Sequence, residues 1–464
     1  MRKFSRFLAF AMATCLTATA FVGCSKGDSG DGGDKGDGGK KAEEIFFLNF
    51  KPEIADKYEA IAKQYKKETG VTVKVVTAAS NQYEQTLTSE IAKSNPPTIF
   101  QINGPVGYKN WADYCADLSD TDLYGLLSET GKSLAVKKDD GVYGIPYAVE
   151  GYGIIYNNAI MDKYFSSDKK SSDIKSVDEI KGFDDLKEVT EDMTKIKDDL
   201  GIKGVFASTS FSEGNDWRWQ SHLANLPMYY EFMDKDSKNP LVAGLDSETV
   251  DFTYNKNFKN IFDLYINNSI TEKNKLSTKS VDDSMAEFAL GDVAMVQNGN
   301  WGWGQISNVK GNVTKEDDIK FMPIYTGVEG EDKQGICIGT ENYFAINNKV
   351  SDSKQKASAD FLNWLFSSKE GKKAVTNELG FITPFTSFTE DEQPKDPLAK
   401  EVVNYQSKEG INNPAWAFSV FPSEQFKADF GASLLEYTQD QKTWDDVAKT
   451  VKDSWKAEKA ATAE

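Results

Sequence analysis

Three separated stretches of this chain interleave large aromatic rings with amides, carboxylates and a guanidinium. In GDVAMVQNGNWGWGQI, residues 291–306, Asn298 and Asn300 lead into Trp301 and Trp303. In the glycine- and tyrosine-rich run 141–158, Tyr147, Glu150 and Tyr152 stand together. In FSEGNDWRWQSH, residues 211–222, Glu213, Asn215 and Asp216 precede Trp217, Arg218 and Trp219. A flat ring covers the C–H face of a pyranose with dense dispersion contact and little rotamer freedom to lose. Carboxylates, amides and guanidinium groups pair with the hydroxyls along its rim. The mixture is what a saccharide site needs. Gln101, Asn103, Phe381 in LGFITPF and Trp416 in NNPAWAF are weaker candidates of the same types. Consecutive side chains point different ways, so Trp217, Arg218 and Trp219 cannot all face one ligand; Trp217 is preferred, and Arg218 is equally readable as an exposed ion pair. Both Trp301 and Trp303 are also readable as caps on a core.

Other chemistries lack their residues. There is no G-x-x-x-x-G-K-[ST] loop for nucleotide phosphates, no G-x-S-x-G elbow and no Cys/His pair for nucleophilic catalysis. His222 is the sole histidine, without Cys or His neighbours, so a core or surface role is expected and neither a metal nor a cofactor. Hydrolysis by two carboxylates stays open in a chain with 72 acidic residues. A net charge of −18 argues against nucleic acid and against an anionic membrane surface as partners.

The elements that must position these residues follow from periodicity. IFFLNF at 45–50 reads as a buried strand. Tyr58, Ile61, Ala62 and Tyr65 then mark a helix stopped by Gly70, and VTVKVV a second strand. Tyr83, Leu87 and Ile91 line a second helix ended by Pro96-Pro97, before a third strand at 98–102. This β-α-β-α-β opening predicts an α/β sheet covered by helices. Further helices are expected at 183–200, at 217–232 with a break near Pro227, at 252–267, at 280–290 with Ser280 as N-cap, at 356–367 and at 444–455, the last followed by a polar tail. A short strand is expected at 204–207, and a loop carrying Trp301 after the apolar run 293–296.

The first residues have another purpose. Arg2, Lys3 and Arg6 precede an apolar run ending at Val22-Gly23-Cys24, the pattern of a secretory signal. A small residue before the cysteine resembles a bacterial lipoprotein signal, which implies that Cys24 is lipidated. The alternative is a plain cleaved signal. Residues 25–44 carry no apolar side chain larger than Ala and read as a solvated linker reaching roughly 25 Å. Cys115 and Cys337 are open to pairing or to remaining free thiols.

Three stretches resemble the extracellular solute-binding proteins of carbohydrate ABC transporters, the group that contains maltose-binding protein. GVYGIPYAVEGYGIIYNNAIMDKY is similar to that family's first crossing between lobes, GDVAMVQNGNW to its strand and Asn-Gly-x-Trp turn, and YFAINNKVSDSKQKASADFLNWLFSSKEGKKAV to its return strand and helix. The resemblance implies a two-lobe periplasmic-binding-protein-like α/β fold, with hinge strands and a ligand cleft between the lobes. It implies a signal at 1–23, a lipidated Cys24 and linker at 24–44, one lobe from 43–149 plus 342–385, and the other from 151–337 plus 389–464. Hinges are expected near 149–152, 338–343 and 384–388. Trp301 matches the family's ring-stacking tryptophan. Glu150 falls where the family has a carboxylate for sugar hydroxyls, or else is a hinge residue paired to a backbone amide or a lysine. Gln101 stands where maltose binders have an aromatic residue, which puts a maltose-like arrangement in doubt. The implied function is that of a monomeric, lipid-anchored receptor on the outer face of the cytoplasmic membrane, delivering an oligosaccharide to a permease. A peptide, polyamine or metal receptor on the same fold is the alternative, with a glycoside hydrolase behind it.

Overall fold

A computed structural model describes residues 44–462, so the signal, Cys24 and nearly all of the linker lie outside the described residues. The opening alternation forms as its pattern predicts. β1 (Ile45–Asn49), β2 (Val73–Thr77) and β3 (Ile99–Asn103) alternate with the helices Ala55–Thr69 and Tyr83–Ile91. The first helix buries Tyr58, Ile61, Ala62 and Tyr65, and Gly70 ends it at φ 79°, in the left-handed region that glycine enters freely. The remaining strands are β4 (Val136–Lys138), β5 (Gly141–Pro146), β6 (Glu150–Asn157), β7 (Gly204–Phe206), β8 (Val293–Gly299), β9 (Ile319–Met322), β10 (Cys337–Gly339) and β11 (Asn342–Ile346).

Two sheets result. The first has the order β2-β1-β3-β11-β5-β4, and the second β10-β6-β8-β7 with β9 also paired to β6. β1 runs parallel to both its neighbours, and every residue of it is buried, as a central strand covered on both faces requires. Alternate residues feed opposite cores: Phe344 and Ile346 pack with Phe47 and Ile99 on one face, Tyr343 and Ala345 with Leu48 and Phe100 on the other. In the second sheet Tyr152, Ile154 and Tyr156 enter the largest core and Ile155 the opposite one. The chain passes from the first sheet to the second between Pro146 and Glu150, and returns between Gly339 and Asn342. The segment at Ile382 lies beside the first passage, where the Val149 amide donates to the Ile382 carbonyl at 2.6 Å.

Several elements differ in detail from the periodic reading. Residues 217–232 form a π-helical turn, Arg218–Leu223, and then a helix Asn225–Lys235, so the break precedes Pro227. Pro227 sits in that helix's first turn, where a missing N–H costs little. The segment 183–200 divides at Ile196. The closing helix runs on to Ala461, started by a Thr443/Asp446 capping box; the polar residues after Trp455 are its outer side and not a tail. Ser280 caps Val281–Ala289 as expected. The segment around Trp301 is a 3-10 turn, Asn300–Gly302, continuing into the short helix Trp303–Ser307, where a loop was expected. Cys115 and Cys337 are free, in different cores, and burial pushes both thiols up to about 12. Among the described residues no helix is long and apolar enough to cross a membrane.

β6 is the strand on which the second sheet depends, since it pairs with β8, β9 and β10. A Cβ on Gly153 would lie 2.6 Å from the Met322 carbonyl oxygen and 3.0 Å from Ile336. Gly153→Ala is therefore expected to cost about 1–3 kcal/mol as an overpacked core position, read as a lowered urea midpoint at unchanged slope.

Candidate functional site

In open α/β sheets the loops beyond the carboxyl ends of parallel strands open into a crevice. Here those loops meet a shared cavity of about 350 Å³. From the first sheet come Phe50 and Lys51 after β1, Ala79 to Asn81 after β2, and Asn103 at the end of β3. From the second come Trp301 after β8, and Asn215 and Trp217 beyond β7. The two crossings supply the floor: Glu150 opens β6, and Glu341 and Asn342 stand where the chain re-enters the first sheet.

Trp301 is held by what lies behind it. A Cβ on Gly299 would sit 2.1 Å from the Trp301 ring, so the ring folds back over a bare Cα. Around it stand His222 at 5.4 Å, Trp217 at 6.1 Å, Trp416 at 6.2 Å and Tyr152 at 6.3 Å between ring centroids. Trp301 and Trp217 remain half-buried and line the cavity, whereas Tyr152 and Trp416 are buried beneath them. His222 also lines the wall, stacked on Phe418 at 4.6 Å. Burial, with Lys427, Lys51 and Arg218 nearby, holds its pKa down at about 3, so the imidazole is neutral.

The floor is electrostatically dense. Lys51 donates to Glu150 Oε1 at 2.7 Å, with Glu53 at 3.8 Å and the Trp301 ring centroid at 5.7 Å. Burial alone would lower the Lys51 pKa, but Glu150 and Glu53 outweigh it and hold it above the ordinary lysine value. Lys427 pairs with Glu424 at 2.7 Å. Glu341 stands among these charges, and burial together with Glu150 and Glu424 raises it to about 7 against the pull of Lys427 and Lys51. Three amides on the wall have buried polar atoms without partners: both ends of Asn342, Oδ1 of Asn103 and Oε1 of Gln220.

Of the residues singled out from sequence, Trp301, Trp217, Asn215, Glu150 and Asn103 line the cavity. The others are placed behind it, each for a visible reason. Asn300 accepts from the Gly151 amide at 2.9 Å. Asn298 donates to the Met285 sulfur and accepts from the Gly299 amide. Tyr152 donates to the His222 carbonyl at 2.8 Å. Arg218 is buried and forms no ion pair: it donates to the Gln297 carbonyl, Ser210 and Ser284, tying the π-helical turn to β8. Gln101 accepts from the Phe50 amide and donates to Tyr147, fixing the loop that carries Lys51. Phe381 packs on Tyr147 at 5.4 Å, and Trp416 fills the space over Gly339. Lys51, Glu341, Asn342, Gln220, Glu424 and Lys427 were not anticipated. The strand-end rule applied to IFFLNF would have marked Lys51, which follows it directly; nothing local marks Glu424 or Lys427, which arrive on the helix Glu424–Thr438.

A family model described as bacterial extracellular solute-binding protein matches residues 60–401. The chain belongs to this family. Among solved structures, this solute-binding protein is similar to a family 1 extracellular solute-binding protein from Bifidobacterium longum subsp. infantis, at 21% identity and TM-score 0.59, covering 90% of this chain and 100% of that one. It is also similar to the solute-binding protein RafE in complex with raffinose, at 18% identity and TM-score 0.68, covering 90% and 100%. A chitin oligosaccharide binding protein matches at 18% identity and TM-score 0.69, covering 91% and 100%. At these identities the structures establish the two-lobe binding-protein fold. No curated protein matches the sequence.

The cavity floor makes stability depend on pH. Glu341 titrates near 7 in the folded protein, above the 4.5 of a free glutamate. The folded state therefore binds this proton more tightly than the unfolded one between those values. Its contribution to stability is fully present below about 4.5 and lost as pH rises through about 7. Glu341→Gln is expected to flatten the stability–pH profile across that window, measured by urea unfolding of both proteins.

Proposed function

We propose that this solute-binding protein is an oligosaccharide receptor that closes on its ligand and presents it to an ABC permease. The observation that carries the reading is the cavity wall, where the Trp301 and Trp217 rings stand with the unpartnered amides of Asn103, Asn342 and Gln220. Rings for C–H faces and amides for hydroxyl rims are the two things a pyranose requires. RafE holding raffinose on the same fold, and a chitin oligosaccharide binding protein beside it, support the reading. The lobes of the proposal are 43–149 plus 342–385 and 151–337 plus 389–464, hinged at the crossings. Ligand that touches both lobes only when they are closed shifts the population toward the closed state by its differential affinity. The receptor binds without turnover, acts as a monomer, and is tethered through Cys24 and the linker.

A thermal-shift panel of oligosaccharides tests this. A ligand at 100 times its Kd adds about 2.7 kcal/mol of stability; silence across the panel, or new reducing ends in the mixture, sinks the reading. With the ligand identified, Trp301→Ala is expected to cost about 1–3 kcal/mol of binding by calorimetry, and unchanged affinity removes Trp301 from the site. Cys24→Ala is expected to move the protein from the membrane fraction to the medium.

A further inference from the structure

The cavity lining carries six carboxylates and two ammonium groups. Both ammonium groups are already committed. Lys51 lies between Glu150 at 2.7 Å and Glu53 at 3.8 Å, and Lys427 pairs with Glu424 at 2.7 Å. Glu341, on the floor, has no ion-pair partner among the described residues and feels Lys427 and Lys51 only through their fields. Beside it Asn342, 3% exposed, lines the cavity with neither amide atom bonded, and Gln220, 5% exposed, lines it with a free Oε1. These buried groups need partners from outside the chain, because an unsatisfied polar atom out of water is costly. The rings of Trp217 and Trp301 complete the wall, and the faces of aromatic rings attract cations. Glu84 and Asp282 also lack an ion pair but accept from Trp111 and Gln305, so surplus negative charge, one carboxylate with neither ion pair nor hydrogen bond, and two indole rings together match an ammonium group better than a neutral hydroxyl. They oppose a ligand carboxylate, which would find no uncommitted ammonium group on the cavity lining.

Resting on the saccharide reading, we propose that Glu341 is a specificity-determining residue, and that the ligand is a saccharide carrying a protonated amine, seated with that amine against Glu341 and its rings against the indoles. No covalent step is involved. An ionic hydrogen bond is roughly twice as strong as a neutral one, and each factor of ten in affinity corresponds to about 1.4 kcal/mol.

The test is a matched series of β-1,4-linked glucose, glucosamine and glucuronate oligomers of equal length, titrated by calorimetry at about pH 7, where Glu341 is partly ionised, into wild type and Glu341→Gln. In wild type the glucosamine oligomer is expected to bind about tenfold or more tightly than the glucose oligomer, and the glucuronate oligomer most weakly. In Glu341→Gln the preference for the amine over the neutral sugar is expected to collapse. Equal wild-type affinities for amine and neutral sugar, or a preference that survives Glu341→Gln, overturns the proposal. The wild-type series decides by itself should the variant not fold. Neutral saccharides that bind while amines gain nothing overturn only the amine assignment; if no saccharide binds but free spermidine does, the saccharide reading itself is overturned.

Discussion

The Lys51–Glu150 ion pair is the interaction around which the cleft is organised. Lys51 follows the central strand of the first sheet, and Glu150 is the first residue of the central strand of the second. The pair therefore joins the two halves at the point where the chain crosses between them. Both side chains are nearly fully buried, and a buried pair is favourable only when its geometry and hydrogen bonds repay desolvation. Glu53 and the Trp301 ring complete the shell around the ammonium group. Removing either partner would strand the other charge in the floor, so the pair constrains which groups can surround it: Gln101 fixes the loop on one side and Asn300 the first turn of β6 on the other.

That constraint also shapes what is left for a ligand. With Lys51 and Lys427 satisfied within the protein, the groups that remain open on the wall are aromatic faces, amides and carboxylates. The second half presents its rings on a rigid support. Arg218 ties the turn carrying Trp217 to β8, and Gly299 lets the Trp301 ring come close against the backbone of the same strand. A binding surface built on strand ends and braced turns keeps its geometry better than one on a free loop.

Glu150 shows how an ion pair within the protein and a place on the cavity lining coincide in one residue. It was open to a role as hydroxyl acceptor or as lysine-paired hinge residue; it is paired to Lys51 and it lines the cavity. Trp301 likewise lines the cavity while it covers the aromatic core behind it. Tyr152, Asn298, Asn300, Arg218, Gln101, Phe381 and Trp416 were legible as chemically able residues, but their partners are residues distant in sequence, and only those partners decide whether a polar group faces a ligand or its own protein. Glu341 and Asn342 were legible only as part of a crossing, since an acid among 72 carries no local mark.

The sequence by itself determined the alternation of strands and helices and the caps at Ser280 and Gly70, because periodicity and capping are local properties of the chain. Tertiary structure decided which of the able residues share one cavity, where the buried charges are neutralised and which carboxylate is left over. Those outcomes depend on side chains far apart in sequence, such as Lys51 and Glu150, meeting at distances and burials that no local pattern encodes.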